Sequence, residues 1–125
     1  FCYISDFETV RIINDQDDVI DDEIFTSNIG SDLYASPEQH QNQLTTFSTD
    51  IYSFGLLVYF LFEHKDMWSS MNNCLGVIDN LEKGKFKKLT KGSKIIQEIY
   101  VSCIKFDPKK RIYVRNSTLY LTMIL

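Results

Sequence analysis

The chain has 125 residues, which is enough for one domain with a hydrophobic core but short of the roughly 250 that a two-lobed enzyme needs. Hydrophobic residues make up 44% and aromatic residues 14% of it, which excludes a disordered chain. The net charge of -4 makes a general nucleic-acid binder unexpected, because such proteins carry a strongly basic surface.

The N-terminal third of the sequence predicts two strands followed by a long loop. In residues 1–13, β-branched and aromatic residues lie on both sides of the polar break Ser5-Asp6, a pattern typical of two short strands joined by a tight turn. Residues 14–23 hold six carboxylates and no basic group. Because like charges repel, this stretch is expected to be extended and solvated.

The strongest helix signal covers about residues 49–64. Ser48 or Thr49 can cap it, and Asp50 lies in the first turn, where the helix dipole favours a negative charge. Residues 51–62 are apolar on nearly every side, which predicts a central core helix that is buried all round. The apolar run is shorter than the roughly 20 residues that span a membrane, so no membrane span is expected.

Three further helices are predicted towards the C-terminus. Residues 72–82 favour a short helix, and residues 83–94 favour an exposed connector rich in lysine and glycine. A one-sided apolar pattern then predicts a helix from Ser93 as its cap to Asp107-Pro108 as its end. Residues 114–125 complete a mainly α chain.

Four short motifs follow one another in a fixed order. Asp6-Phe7 comes first; residues 30–38 read GSDLYASPE, residues 48–55 read STDIYSFG and residues 103–111 read CIKFDPKKR. Together they resemble the C-terminal lobe of a eukaryotic-type protein kinase catalytic domain, of the serine/threonine kinase kind. The resemblance implies a partial kinase domain over residues 1–125: a short β-strand pair, an activation segment at about residues 6–38, and a helical bundle around the central helix.

The resemblance also implies which residues meet the cofactors and the protein substrate. Asp6 would bind the Mg²⁺ that bridges the ATP phosphates, while Phe7 would anchor the same turn in the core. The protein substrate would lie against four residues, Ser31, Asp32, Leu33 and Tyr34.

Structural roles are implied for five other residues. Glu38 would pair with Arg111, and Pro37 would fix the backbone beside that pair. Asp50 would steady the catalytic loop, and Gly55 would permit close packing of the central helix.

Two functions remain open. Glu8 stands where the family has glycine, and no catalytic residue is assigned within this chain, because the N-lobe and the catalytic loop would precede Phe1. These missing parts and a protein substrate are the expected partners. One function is a protein kinase that is inactive as this chain alone; the alternative is a pseudokinase or scaffold with the fold and no catalysis.

The cysteines indicate an intracellular, reducing compartment, by default the cytoplasm. Cys2, Cys74 and Cys103 are far apart and include no CxxC pair, which argues against a disulfide framework and against a structural zinc site. No basic region leads into an apolar stretch at Phe1, so a signal peptide is not predicted.

Thr26 and Ser27 lie shortly before Gly30, where activation-loop phosphates often occur, and we hypothesise that Thr26 is phosphorylated. The alternative is an ordinary solvated hydroxyl. Phosphopeptide mapping of the active full-length protein should find phosphate on Thr26 or Ser27, and two unmodified hydroxyls in the active form would contradict the hypothesis.

Overall fold

A computed structural model describes residues 33–41, 43, 45–70 and 74–113, together with the isolated positions 3, 5 and 10. These residues form α1 (Pro37–His40), α2 (Phe47–Glu63), α3 (Cys74–Glu82), α4 (Lys94–Cys103) and a 3-10 helix (Pro108–Lys110), with no strand among them. The predicted strand pair, the acidic loop and the last helix at residues 114–125 fall outside the described residues.

Helix α2 begins at a capping box. The Thr46 hydroxyl accepts a hydrogen bond from the Ser48 N–H at 3.2 Å, and the Thr49 hydroxyl accepts one from the Thr46 N–H at 3.1 Å. The predicted cap at Ser48 or Thr49 is therefore wrong. Several neighbouring hydroxyl residues could each serve as a cap, and Thr49 serves instead as the third helical residue.

Helix α2 packs closely against the end of α4. A Cβ atom added at Gly55 would lie 2.7 Å from Cys103 Cβ and 2.8 Å from Ile104 Cγ2, closer than real side chains approach. The Tyr59 and Tyr100 rings lie next to this contact, with their centroids 5.7 Å apart. A residue without a side chain at position 55 is thus what lets the two helices share one core.

The opposite face of α2 is exposed among the described residues. Five apolar side chains are 38% to 58% accessible to solvent and form a stripe along the helix: Phe47, Phe54, Leu57, Phe60 and Leu61. The burial on every side that the sequence predicts is not found here. Helix α4 and the 3-10 helix cover only the face that carries Tyr52, Leu56 and Tyr59.

The later helices agree with their predicted positions within a few residues. The Ser93 hydroxyl accepts the Ile96 N–H at 3.4 Å and caps α4, as predicted. Helix α4 ends at Cys103, before the predicted end, and Asp107 caps the 3-10 helix instead. The connector before α4 is not wholly exposed, because Leu89 is buried in the core. No described helix meets the length and apolarity that crossing a membrane requires.

The exposed stripe of α2 predicts self-association of the isolated chain. Apolar surface of this extent favours contact with other apolar surfaces over contact with water. The chain should bind a hydrophobic dye and sediment as more than a monomer, and Leu61→Lys should reduce both signals. Ser70→Lys adds the same charge at an exposed polar site and should reduce neither. A monomeric parent chain that binds no dye would contradict this prediction.

Candidate functional site

The site is built around a short helix whose sequence fixes its orientation. In α1 the Ser36 hydroxyl accepts the Gln39 N–H at 3.4 Å, and the Gln39 side chain accepts the Ser36 N–H at 2.9 Å. Pro37 occupies the first turn, where its missing N–H leaves no hydrogen bond unmade. These local contacts direct the side chain of Glu38 into the interior, where it is buried.

Glu38 forms a bidentate ion pair with Arg111. The Arg111 Nη1 atom lies 2.6 Å from Glu38 Oε1, and Nη2 lies 2.8 Å from Oε2. Both side chains are almost fully buried. Two parallel charge-assisted hydrogen bonds fix the angle between the two groups as well as their distance.

Among the described residues, the other polar contacts of the Arg111 guanidinium all go to backbone carbonyls. Its Nη1 donates to the Ser48 carbonyl at 2.7 Å. Its Nε donates to the Lys105 carbonyl at 2.8 Å, and its Nη2 to the Phe106 carbonyl at 3.2 Å. Because a buried charge is costly unless it is paired and hydrogen-bonded, these contacts are what make the buried position tenable.

The Glu38 carboxylate is held in its ionised form. Burial alone would raise its pKa, but the hydrogen bonds and charge of Arg111, its own backbone N–H and the Thr49 hydroxyl outweigh burial and lower the pKa below 4.5. The Thr49 hydroxyl donates to Oε1 at 3.1 Å. Since the folded-state pKa is lowered, the resulting stabilisation is present above pH 4.5 and is lost as the pH falls through the folded-state pKa.

The chain that leads into α1 is held at Tyr34. The Tyr34 hydroxyl donates to the Asp66 carboxylate, and the Ser53 hydroxyl donates to the Tyr34 carbonyl at 3.0 Å. Burial, and after it the bond and charge of Asp66, raises the pKa of Tyr34 to about 12, so this hydroxyl is a donor at neutral pH. Residues 33–38 are therefore fixed against α2 and the loop that follows it.

The structure describes some of the site residues predicted from the sequence and not others. Glu38 and Arg111 meet, Gly55 lies at the closest helix contact, and Leu33 and Tyr34 pack against the core. Six predicted residues fall outside the described residues: Asp6, Phe7, Thr26, Ser27, Ser31 and Asp32.

Asp50 is exposed in the first turn of α2, and the described residues offer it no hydrogen-bond partner. The same residues contain no cluster of His, Cys, Asp and Glu that could hold a metal ion. The described residues therefore provide the structural contacts around Glu38 and Arg111. The binding of Mg²⁺ by Asp6 stays a prediction.

Two residues with contacts in the site, Thr49 and Asp66, were not assigned to the site from the sequence. Thr49 fits the spacing of a capping box with Thr46, so its position could have been found, but its bond to Glu38 could not. Asp66 follows α2 in a polar stretch with no motif, and only the fold places it beside Tyr34.

Residues 2–118 match the protein kinase domain family, and the chain belongs to this family. The matched region contains the whole Glu38–Arg111 site and all four described α-helices. No curated protein matches the chain.

The buried pair predicts a large loss of stability when one partner is removed. Glu38→Ala or Arg111→Ala should each lower the free energy of unfolding by about 3–5 kcal/mol, because the surviving charge is left buried and unpaired. Urea denaturation followed by circular dichroism measures this difference.

Lys94→Ala is the matched control, since its side chain is 89% exposed and lies 3.9 Å from Glu98. It should change the free energy of unfolding by less than about 0.5 kcal/mol. The prediction fails if the Glu38 and Arg111 variants unfold at the same urea concentration as this control.

Proposed function

We propose that this chain is part of a protein kinase that transfers the γ-phosphate of ATP to serine or threonine residues of protein substrates. The family match supports a kinase. The structural observation that carries the kinase fold of the proposal is the bidentate Glu38–Arg111 pair, which ties α1 to the helical body.

This geometry suits phosphoryl transfer because that reaction depends mainly on positioning and on charge stabilisation. Tyr34 is fixed through Asp66 and Ser53, and Glu38 is fixed four residues later. Residues 31–34, which we propose contact the protein substrate, run directly into this anchored stretch. A substrate bound at Leu33 and Tyr34 would meet a backbone that the contacts of Tyr34 already hold in place, which lowers the entropy cost of alignment.

Cofactor binding is proposed for residues outside the described part. Asp6 would hold Mg²⁺, which neutralises phosphate charge in such reactions when it is bound. The described residues provide no metal-ligand cluster of their own. No residue of this chain is assigned as the catalytic base, so the chain alone is expected to be inactive.

The alternative function is a kinase-like scaffold without catalysis. The observation that favours it is Glu8, two residues after Asp6, at a position where the family has glycine. A side chain with a negative charge there removes the backbone freedom of glycine and adds charge next to the proposed metal ligand. The buried pair would serve a scaffold equally well, so the two functions differ in chemistry and not in fold.

A phosphorylation assay separates the two functions. The full-length gene product should incorporate phosphate from Mg²⁺ and ATP into serine or threonine of a generic protein substrate, identified by phosphoamino-acid analysis. Asp6→Asn should slow the reaction by about a hundredfold or more, since a preorganised charge at the phosphates is lost.

Asp79→Asn is the control for this assay, because Asp79 is an exposed carboxylate on the surface of α3 that pairs with Lys83. It should leave the rate unchanged. A folded full-length protein that neither binds nucleotide nor transfers phosphate would instead establish the scaffold, and phosphotyrosine as the sole product would refute the serine/threonine assignment.

A further inference from the structure

The segment between α3 and α4 concentrates positive charge in an acidic chain. Residues 83–94 hold six of the thirteen basic residues and no carboxylate. The segment contributes +6 to a chain with a net charge of -4, so the rest of the chain carries -10. The lysine side chains lie at exposed positions: Lys83, Lys85, Lys87, Lys88, Lys91 and Lys94.

Four of these lysines form no ion pair with a described carboxylate. Lys83 pairs with Asp79 at 2.7 Å, and Lys94 lies 3.9 Å from Glu98. The charge of Lys91 acts on Glu63. Lys85, Lys87 and Lys88, which we call the lysine triplet, have no such partner among the described residues, and the half-buried Phe86 lies between them in the sequence.

The backbone that carries the lysine triplet is fixed at its start. At the end of α3 the Gly84 N–H donates to the Leu81 carbonyl at 2.9 Å, and the Lys85 N–H donates to the Asn80 carbonyl at 2.7 Å. Gly84 has φ 67°, the left-handed conformation that this type of helix ending requires.

The same backbone is fixed again after the triplet. The Tyr100 hydroxyl donates to the Lys87 carbonyl at 2.6 Å, and Leu89 is buried in the core. The Glu63 carboxylate then accepts the Thr90 N–H at 2.6 Å and the Thr90 hydroxyl at 2.9 Å. The segment is thus an anchored loop, and not the simple solvated connector that its composition suggests.

We propose, on the basis of the kinase function proposed above, that the lysine triplet is a docking site for a short carboxylate-rich segment of the protein substrate. The anchored backbone lowers the cost of ordering the loop when a partner binds. The exposed ammonium groups supply the charge attraction for carboxylates.

The charge distribution favours a short acidic segment over an extended polyanion. A nucleic acid or a membrane surface would reach beyond the loop to described residues among which eight carboxylates outnumber five basic side chains. Those like charges would repel it within the roughly 8–10 Å over which charges interact at physiological salt. An acidic peptide of a few residues can contact the lysine triplet alone.

Peptide binding to the full-length gene product tests the proposal. A fluorescent ten-residue peptide with six glutamates should bind in an anisotropy titration, and its glutamine counterpart should not. Replacing Lys85, Lys87 and Lys88 together by glutamine should weaken binding about tenfold, since each exposed pair contributes modestly. In the active enzyme the same change should raise KM for an acidic substrate and leave kcat unchanged.

A matched variant replaces Lys105, Lys109 and Lys110 by glutamine and removes the same charge at exposed positions elsewhere. It should bind the peptide within about twofold of the parent. Equal weakening in both variants would overturn the proposal, as would tighter binding to phosphatidylserine vesicles or to a thymidine oligonucleotide. If the full-length protein binds the peptide but transfers no phosphate, the proposed kinase function is wrong. The docking site would still be supported, because the titration does not depend on catalysis.

Discussion

A buried charge pair is the constraint on which the described structure depends. Glu38 and Arg111 are 73 positions apart, and each would be strongly unfavourable in the interior without the other. Arg111 also donates to the carbonyls of Ser48, Lys105 and Phe106, so α1, the start of α2 and residues 105–106 meet at one guanidinium. The planar, always charged group suits this role because it can donate in several fixed directions at once.

Helix α2 connects this pair to the other anchored segments of the chain. Near its N-terminus, Thr49 bonds to Glu38, and one turn later Ser53 holds the Tyr34 carbonyl. At its other end Glu63 holds the backbone of Thr90. The proposed substrate segment and the proposed docking loop are therefore both positioned by one rigid element, which the absence of a side chain at Gly55 seats against α4.

Local sequence patterns predict where the helices lie better than they predict the contacts between residues that are distant in the sequence. The Ser93 cap follows from a hydroxyl placed just before an apolar repeat, and it is found. The start of α2 was missed because several hydroxyl residues compete for one role within four positions. The meeting of Glu38 with Arg111 came from the resemblance to a family, since no periodicity relates residues so distant in sequence. The Tyr34–Asp66 bond depends on tertiary packing alone.

Two residues of α2 hold the proposed binding regions: Ser53 holds the backbone at Tyr34, and Glu63 holds the docking loop at Thr90. The distance between them limits how one substrate could contact both regions. Ser53 and Glu63 are ten residues apart, which corresponds to about 15 Å along a helix. An extended peptide covers about 3.3 Å per residue, so a chain that reached from one anchor region to the other needs at least about five residues between its two contacts. A docking segment at the lysine triplet would therefore act at a distance from the residue that the proposed kinase modifies. It can raise the local concentration of a substrate without restricting the residues next to the acceptor.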